Sequence, residues 1–358
     1  MATRKYPSLD EKTLYSNLDK GGMSDHLNKF SDLCAKAWKQ SKQFNLPDDY
    51  KKVNRIIVLG MGGSAIGADM AGSYLEKSCR VPVIVSRDYD LPAYVDKDTL
   101  IIASSYSGTT EETLSAFRQA LDTPSKKMAL TTGGDLKKIC EENEIPVLTF
   151  RYKAPPRAAL PFSFFLLLGV LQNLGLVNSQ DEAVRETVEC LSSLRDLINE
   201  DVPTKENPAK AIAFKMAGKL PVIYGAGITS EVAHRWKTQI NENSKAAAYW
   251  EVLPELNHNS VVGYEFPEQV KKKMLVVILD SNLIHDRVRK RIELTNEMLK
   301  SAGIKSQIIR GEGETELSQM ISLTLFGDYV SYYLAALYQV DPTPVETINY
   351  LKQNLAKL

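Results

Sequence analysis

The feature that most constrains this chain is a ten-residue stretch, Ser104–Thr113, that is rich in serine, threonine and glycine. It follows the apolar run Leu100–Ala103, which predicts a buried strand, and it precedes an apolar pattern with helical spacing that begins at Leu114. Such a strand-to-helix turn directs backbone N–H groups and the positive end of a helix dipole toward a ligand above the sheet. The stretch therefore predicts a phosphate site. A helix N-cap with a capping-box glutamate is the simpler alternative.

A second turn of this kind lies upstream, where the run Ile56–Leu59 leads into Gly-Met-Gly-Gly-Ser at residues 60–64. Its glycines permit close backbone approach, and Ser64 adds a hydroxyl group. The same glycines invite a dinucleotide interpretation. However, Ala65 stands where the third fingerprint glycine is expected, and Asp88 is a weak acidic partner. Two turns after neighbouring parallel strands favour a phosphate site at the crevice where such sheets bind ligands.

Apolar runs alternate with helical patterns along most of the chain, which predicts an α/β protein with doubly wound parallel sheets. The runs form two blocks, which suggests a distant internal duplication. We predict a helical N-terminal arm over residues 1–54, a first sheet domain over 55–200 and a second over 201–358 that includes C-terminal helices. The predicted strands are Ile56–Leu59, Val81–Ser86, Leu100–Ala103, Met128–Thr131 and Pro146–Phe150, then Leu220–Tyr224, Met274–Asp280 and Ser306–Arg310.

The composition argues against several classes of partner. Lys plus Arg equals Asp plus Glu at 44 each, so no net field attracts nucleic acid or an anionic membrane. The apolar run Phe162–Val177 is short for a membrane span, and we predict a buried core helix there. The N-terminus is polar, and the four cysteines are widely spaced. We therefore expect a cytoplasmic protein with reduced thiols, no signal peptide and no metal site.

The second block supplies two ionisable candidates. Glu242 ends a helical pattern in Lys-Thr-Gln-Ile-Asn-Glu-Asn, and His258 lies in the turn-rich Pro-Glu-Leu-Asn-His-Asn. A carboxylate and an imidazole are the usual groups that move protons near neutral pH. Taken singly, each is more often a surface residue. His234 and His285 lie in polar, helix-like stretches, and we predict that they are surface residues too.

Six motifs together resemble the bifunctional phosphoglucose/phosphomannose isomerases, which belong to the sugar-isomerase (SIS) domain superfamily. They run in order along the chain from Gly60 to Lys352. They are Gly-Met-Gly-Gly-Ser-Ala-Ile-Gly, Ser-Tyr-Ser-Gly-Thr-Thr-Glu-Glu-Thr, Pro-Pro-Arg, Lys-Thr-Gln-Ile-Asn-Glu-Asn, Pro-Glu-Leu-Asn-His-Asn and Asp-Pro-Thr-Pro-Val.

The resemblance implies two SIS domains in tandem and an aldose–ketose isomerase that needs no cofactor. Its substrates would be hexose 6-phosphates. It would interconvert glucose 6-phosphate and fructose 6-phosphate, and also mannose 6-phosphate and fructose 6-phosphate, through an enediolate. The resemblance further implies a homodimer whose active site is shared between subunits, and a place in glycolysis and gluconeogenesis.

The resemblance also implies roles for individual residues. Glu242 would carry the proton between C1 and C2, and Arg157 would stabilise the enediolate. His258 would assist ring opening, and it would be contributed by the neighbouring subunit. Lys352 matches the family's C-terminal lysine, with Lys357 as an alternative, and Thr343 is the candidate threonine for accepting mannose 6-phosphate. The implied phosphate contacts are Gly63, Ser64, Ser105, Ser107 and Thr110.

Three alternatives remain open at this point. The chain could be a narrower isomerase for glucose 6-phosphate or for another hexose phosphate. It could be a sugar-phosphate sensor without catalysis, although a sensor has no need of Glu242, Arg157 and His258 together. A dinucleotide-dependent oxidoreductase is the third possibility.

Overall fold

The computed structural model describes residues 6–355 and 357, so residues 1–5 of the predicted N-terminal arm lie outside the described residues. The chain forms two compact units. The first-sheet unit consists of Lys29–Cys190 and Gly313–Ser318. The second-sheet unit consists of the residues up to Asn28, Leu191–Glu312 and the chain from Gln319 onward. Each unit is built on one parallel β-sheet, as the alternating sequence pattern predicts.

Three helices precede the first strand: α1 (Lys12–Leu18), α2 (Met23–Asn28) and α3 (Phe30–Ser41). The elements that follow, through the first sheet, are β1 (Arg55–Leu59), α4 (Gly62–Leu75), β2 (Val83–Ser86), β3 (Thr99–Ser105), α5 (Glu111–Leu121), β4 (Lys126–Thr131), α6 (Gly134–Glu142), β5 (Val147–Thr149), α7 (Leu160–Asn173) and α8 (Asp181–Ile198).

The first sheet has the strand order β2-β1-β3-β4-β5, and all of its pairings are parallel. All five strands predicted in this block are confirmed. The central strand β3 is buried along its whole length, because helices cover both faces of a doubly wound sheet. Strand order reverses between β1 and β3, where Leu59 is in register with Ala103. This switch point is where such sheets open a crevice for ligands.

The second-sheet unit follows the same plan with four strands in the order β7-β6-β8-β9, again all parallel. Its elements are α9 (Pro208–Met216), β6 (Leu220–Ala226), α10 (Ser230–Ser244), β7 (Tyr249–Leu253), α11 (Glu268–Lys273), β8 (Met274–Asp280), α12 (Asp286–Ser301), β9 (Lys305–Arg310), α13 (Glu316–Tyr338) and α14 (Glu346–Leu355).

Strand β7 is the one element of the second sheet that the sequence pattern did not predict. It pairs on one side only, with β6, and its first two residues, Tyr249 and Trp250, are exposed. An edge strand of this kind lacks the continuous apolar run that marks a buried parallel strand. The three other predicted strands of this block are confirmed.

Two helices are apolar around their whole circumference. Among the described residues, α13 alone is long and apolar enough to cross a membrane by length and composition. Its most apolar 18-residue window is entirely buried inside the protein, and a buried core helix passes the same test. Helix α7 is also buried over most of its length, as predicted for the run that begins at Phe162.

A buried lysine fixes the start of the chain onto the second-sheet unit. The Nζ atom of Lys210 donates to the carbonyl oxygens of Leu9 (2.8 Å), Glu200 (2.9 Å) and Val202 (2.8 Å). Burial lowers the pKa of this ammonium group, although the nearby carboxylate of Asp10 counteracts the shift. Three carbonyl acceptors replace the water that the buried charge has lost.

Candidate active site

The two predicted phosphate turns meet at the switch point of the first sheet. The first turn connects β1 to α4, and the second connects β3 to α5. The backbone N–H of Tyr106 in the second turn donates to Oγ of Ser64 in the first, at 3.1 Å. The structure therefore joins the two turns directly, as the sequence predicted from neighbouring parallel strands.

Hydroxyl groups of the second turn bond to one another and to the turn's backbone. Ser105 Oγ lies 2.9 Å from Thr110 Oγ1 and accepts from the backbone N–H of Gly108 at 3.1 Å. Ser107 Oγ accepts from the N–H and the hydroxyl of Thr109, at 3.2 and 3.1 Å. Ser107 is exposed, whereas Ser105 is buried. The turn thus presents hydroxyl groups at the N-terminus of α5, where the helix dipole favours an anion.

The simpler interpretation of this turn, a capping box, is not realised. Thr110 is the N-cap residue of α5, and its side chain makes no capping hydrogen bond. The third helical residue is Thr113, so no glutamate occupies the capping-box position. The hydroxyl of Thr110 is directed to Ser105 instead.

Arg157 lies directly beside the first turn. It belongs to a 3₁₀ helix, Pro156–Ala159, and is only 3% exposed. A Cβ atom on Gly63 would lie 2.8 Å from the carbonyl oxygen of Pro156 and 3.2 Å from Cα of Arg157. The carbonyl oxygen of Gly63 also accepts from Ser163 Oγ at 3.1 Å. A larger residue would require a backbone shift, and the close contact at Gly63 brings the segment that carries Arg157 against the phosphate turns.

The second-sheet unit places Glu242 at the wall of an open groove of about 670 Å³. Glu242 lies in the last turn of α10, so the prediction that it ends a helix is confirmed. The opposite wall comes from the segment between α13 and α14 and from the first turn of α14. The lining residues are Asn241, Glu242, Lys245, Ala246, Val340, Asp341, Pro344, Val345, Glu346, Thr347 and Ile348.

Helix α10 is anchored to α13 along its length, and this anchoring fixes the position of Glu242. Arg235 and Asp328, which are both almost fully buried, form a two-bond pair with distances of 2.6 and 3.2 Å. Near the C-terminal end of α10, Asn243 Nδ2 donates to Ser331 Oγ at 2.9 Å, and Ser244 Oγ donates to the Ser331 carbonyl oxygen at 2.7 Å. The carboxylate of Glu242 is therefore carried on a rigid helix end.

Lys245 is a groove residue to which the sequence analysis gave no role. It follows α10 in the left-handed conformation, with φ of 53°. Its Nζ atom donates to the carbonyl oxygens of Glu242 (2.5 Å) and Pro342 (3.1 Å), and so ties the two walls of the groove together. A lysine just after a helical pattern can bind the last helix carbonyls, and this was the available signal.

His258 is exposed at the end of a 3₁₀ helix, Glu255–His258. Its neighbours hold this helix in place, because Leu256 is buried and Asn257 Nδ2 donates to Thr295 Oγ1 on α12 at 2.8 Å. Among the described residues, His258 is not one of those that line the groove beside Glu242. The structure therefore leaves the imidazole open to solvent on a fixed support.

Among the described residues, neither Thr343 nor Lys352 is one of those that line the groove. Thr343 is part of the turn that forms one wall, but its hydroxyl group packs against the backbone of Gly21. Lys352 is exposed on α14, one turn beyond the groove residue Ile348. Lys357, the alternative, lies past the end of α14.

The two remaining histidines that were weighed at the sequence level lie at the surface or close to it. His285 is exposed at the N-cap of α12, where its Nδ1 atom accepts from the backbone N–H of Arg287 at 3.1 Å. His234 is half-buried on α10 and stacks on Trp250, with ring centroids 4.1 Å apart. Stacking on Trp250 explains the position of His234, and capping of α12 explains that of His285.

Two family models match the chain. One, described as "SIS domain", matches residues 49–156. The other, described as "Bacterial phospho-glucose isomerase C-terminal SIS domain", matches residues 205–355. The first range contains both phosphate turns, and the second contains Glu242 and His258.

Curated relatives and solved structures agree with these matches. A bifunctional phosphoglucose/phosphomannose isomerase of Caldicellulosiruptor bescii is 44% identical over 90% of this chain and 96% of its own length. One of the same name from Aquifex aeolicus is 35% identical over 87% of this chain and 94% of its own length. The crystal structure of a hypothetical protein from Thermus thermophilus has a TM-score of 0.75 at 15% identity, and it covers 97% of this chain and 92% of that one, which shows a shared fold.

Proposed function

This chain belongs to the family of bifunctional phosphoglucose/phosphomannose isomerases, and we propose that it interconverts glucose 6-phosphate and mannose 6-phosphate with fructose 6-phosphate. One structural observation supports this proposal above the others: the two joined phosphate turns lie against the backbone of a 3₁₀ helix that carries a buried arginine, Arg157. A site of this kind binds a phosphate ester and offers a fixed positive charge to an anionic intermediate.

The phosphate group is the part of the substrate that the two turns would bind. Backbone N–H groups, the α5 dipole and hydroxyl groups of Ser64, Ser105, Ser107 and Thr110 would hold it. Because the phosphate lies far from the reacting carbons, its binding energy can be used to orient C1 and C2 for proton transfer.

The proposed reaction moves one proton between two carbon atoms. Glu242 removes the proton from C2 of the open-chain aldose, and the electrons form an enediolate across C1 and C2. Arg157 stabilises its negative charge, since a guanidinium stays protonated. Glu242 then returns the proton to C1, which yields the ketose. Lys352 and His258 are proposed to assist proton transfers at the oxygen atoms and ring opening.

The enediolate also explains how one site can serve two epimers. Its C2 atom is planar, so the configuration at C2 is lost when the proton leaves. Return of the proton to one face of C2 gives glucose 6-phosphate, and return to the other face gives mannose 6-phosphate. Discrimination depends on how firmly the rest of the sugar is held, and Thr343 is our candidate for that influence.

The assembly and location of the protein belong to the same proposal. We expect a homodimer in which His258 of one subunit serves the site of the other, and the exposure of His258 on a fixed 3₁₀ helix supports this. We propose a cytoplasmic location, and the balanced charge of 44 basic and 44 acidic residues supports the absence of a nucleic-acid or membrane partner.

The direct test follows fructose 6-phosphate by NMR in deuterated water, with EDTA present and no added cofactor. We expect glucose 6-phosphate and mannose 6-phosphate with deuterium at C2. Glucose 6-phosphate alone would support the narrower isomerase. Binding without conversion would support a sugar-phosphate sensor.

A matched pair of variants tests the base. Glu242→Gln removes the proton acceptor and leaves the phosphate turns unchanged, so we expect intact binding of fructose 6-phosphate and a loss of isomerisation of roughly 10³-fold or more. Glu268→Gln changes an exposed carboxylate on α11 and should keep full activity. Substantial turnover by Glu242→Gln would contradict the role of Glu242.

A further inference from the structure

Tyr106 occupies the centre of the second phosphate turn, between two of the proposed phosphate ligands. Its backbone is fixed from two sides. Its N–H donates to Ser64 Oγ at 3.1 Å, and its carbonyl oxygen accepts from the N–H and Oγ1 of Thr132, at 3.2 and 2.7 Å. The main chain at Tyr106 thus holds the two phosphate turns together without any help from the phenol group.

The phenol group makes a separate set of contacts. Its ring packs against Phe150, with centroids 6.2 Å apart. Its hydroxyl group donates to the carbonyl oxygen of Tyr152 at 2.7 Å and accepts from the backbone N–H of Ala154 at 2.9 Å. Both partners lie just before Arg157, in the extended segment that follows β5.

This segment connects the end of the first sheet to the 3₁₀ helix that carries Arg157. Residues 151–155 belong to no helix or strand, and the ladder between β4 and β5 ends at the N–H of Phe150, which donates to the carbonyl oxygen of Thr131 at 3.1 Å. Pro155 and Pro156 carry no N–H. Two hydrogen bonds to one phenol hydroxyl therefore help to fix the path by which the chain reaches Arg157.

We propose that Tyr106 is a positioning residue that sets Arg157 relative to the bound phosphate. The inference rests on the proposed isomerase function and extends it. One residue fixes the phosphate turns through its main chain and the arginine segment through its side chain. Together with the close contact at Gly63, the phenol of Tyr106 thereby sets the distance between the phosphate turns and the segment that carries Arg157. The oxygen atoms at C1 and C2 carry the enediolate charge. The distance from the phosphate turns to Arg157 therefore determines whether its guanidinium can contact these oxygen atoms.

The test uses Tyr106→Phe, which removes the hydroxyl group and keeps the ring and the main chain. We expect kcat to fall about ten-fold, because sub-ångström to 1 Å misplacement of a catalytic group can lower rates by up to about 100-fold. The KM for fructose 6-phosphate and inhibition by inorganic phosphate should change less than two-fold. Tyr50→Phe is the matched control, since Tyr50 also donates to a carbonyl oxygen, that of Lys127 at 2.9 Å, away from the phosphate turns.

A double-mutant cycle separates positioning from a general structural effect. In an Arg157→Met background, Tyr106→Phe should lower kcat no further, because its effect acts through the arginine. An equal loss in both backgrounds would overturn the proposal, and so would a Tyr106→Phe enzyme with the kcat of the wild type.

Hydrogen exchange measured by mass spectrometry gives a readout that does not depend on activity. Tyr106→Phe should speed exchange in peptides that cover residues 151–158 and leave those that cover residues 104–113 unchanged. Unchanged exchange at 151–158 would refute the positioning role even if the wild-type protein showed no isomerisation. Inactive wild-type protein with the expected exchange pattern would refute the proposed function alone.

Discussion

Replacing Gly63 by alanine is the most direct test of how closely the phosphate turns and the arginine segment must fit. The new Cβ atom would lie 2.8 Å from the carbonyl oxygen of Pro156, about 0.6 Å short of the 3.4 Å at which ordinary contact begins. Its other near neighbours, the Pro156 carbonyl carbon at 3.1 Å and Cα of Arg157 at 3.2 Å, are backbone atoms too. No flexible side chain can move aside, so the 3₁₀ helix that carries Arg157 must shift.

Stability and activity should respond differently to this change. Overpacking typically destabilises by about 1–3 kcal/mol. Alanine in a helix recovers up to about 1 kcal/mol relative to glycine. The net loss in the free energy of unfolding should therefore be roughly 0–3 kcal/mol, and the protein should fold. A shift of about 0.6 Å at Arg157 should lower kcat about ten-fold or more, since 1 Å can be worth about 100-fold.

Urea unfolding and steady-state isomerisation of fructose 6-phosphate measure the two effects. Gly263→Ala is the control, because a Cβ atom at Gly263 meets no atom within 4 Å. It should leave kcat and the unfolding midpoint close to those of the wild type. A Gly63→Ala enzyme with unchanged kcat and KM would refute the argument that this contact sets the arginine.

Two further predictions concern the second-sheet unit. Asp328→Ala removes the carboxylate partner of the buried Arg235, and we expect it to lower the free energy of unfolding by roughly 3–5 kcal/mol in urea titrations. The control is Glu182→Ala, which breaks an exposed ion pair with Arg185 and should lower the free energy of unfolding by less than about 1 kcal/mol. Burial raises the pKa of the Glu200 carboxyl group, and neighbouring carboxylates add a smaller contribution. The folded state therefore binds a proton at Glu200 more tightly than the unfolded state does. At neutral pH, where the group is ionised, it lowers the stability of the folded state. Glu200→Gln should therefore raise the Tm at pH 7, and this gain should shrink as the pH falls toward 4; a gain that is equal at both pH values would contradict the assignment.

The features that sequence reasoning predicted are those whose signal is local. All five strands of the first sheet were predicted because a buried parallel strand is a continuous apolar run that can be read within a few residues. The phosphate turns were predicted for the same reason, since a turn, its hydroxyl groups and the following helix are contiguous. The exposed edge strand β7 carries no such run and was missed.

The features that were missed depend on contacts between distant parts of the chain. The hydroxyl group of Tyr106 bonds to backbone atoms 46 and 48 residues away. Arg235 pairs with a carboxylate 93 residues away, and Lys245 binds a carbonyl oxygen 97 residues away. No spacing rule identifies such partners, because they are determined by how the helices and sheets pack. The resemblance to a family supplied the candidate reacting residues, but the groups that hold them in place could be seen only in the fold.

The second sheet repeats the strand arrangement of the first but not the turns that we propose to bind phosphate, and the reason lies at the corresponding strand end. Strand β8 lies beside β6 as β3 lies beside β1, yet β8 ends in Asp280, a carboxylate that is 5% exposed, where β3 ends in Ser105. The turn after β6 is covered by Ile284, whose Cγ2 atom would be 3.4 Å from a Cβ atom at Gly227. A phosphate placed there would meet the carboxylate of Asp280, which already pairs with Arg310 at 3.2 Å, and an apolar cover.

We therefore expect one hexose 6-phosphate site per chain rather than two. Titration calorimetry of the Glu242→Gln variant with fructose 6-phosphate measures the stoichiometry without turnover. Adding Ser64→Ala and Ser105→Ala should strongly weaken binding at that single site and should expose no second binding site. Both hydroxyl groups lie in the turns that follow strands of the first sheet. Two equivalents bound per chain, or one equivalent that survives the serine changes, would show that the carboxyl edge of the second sheet accepts a phosphate after all.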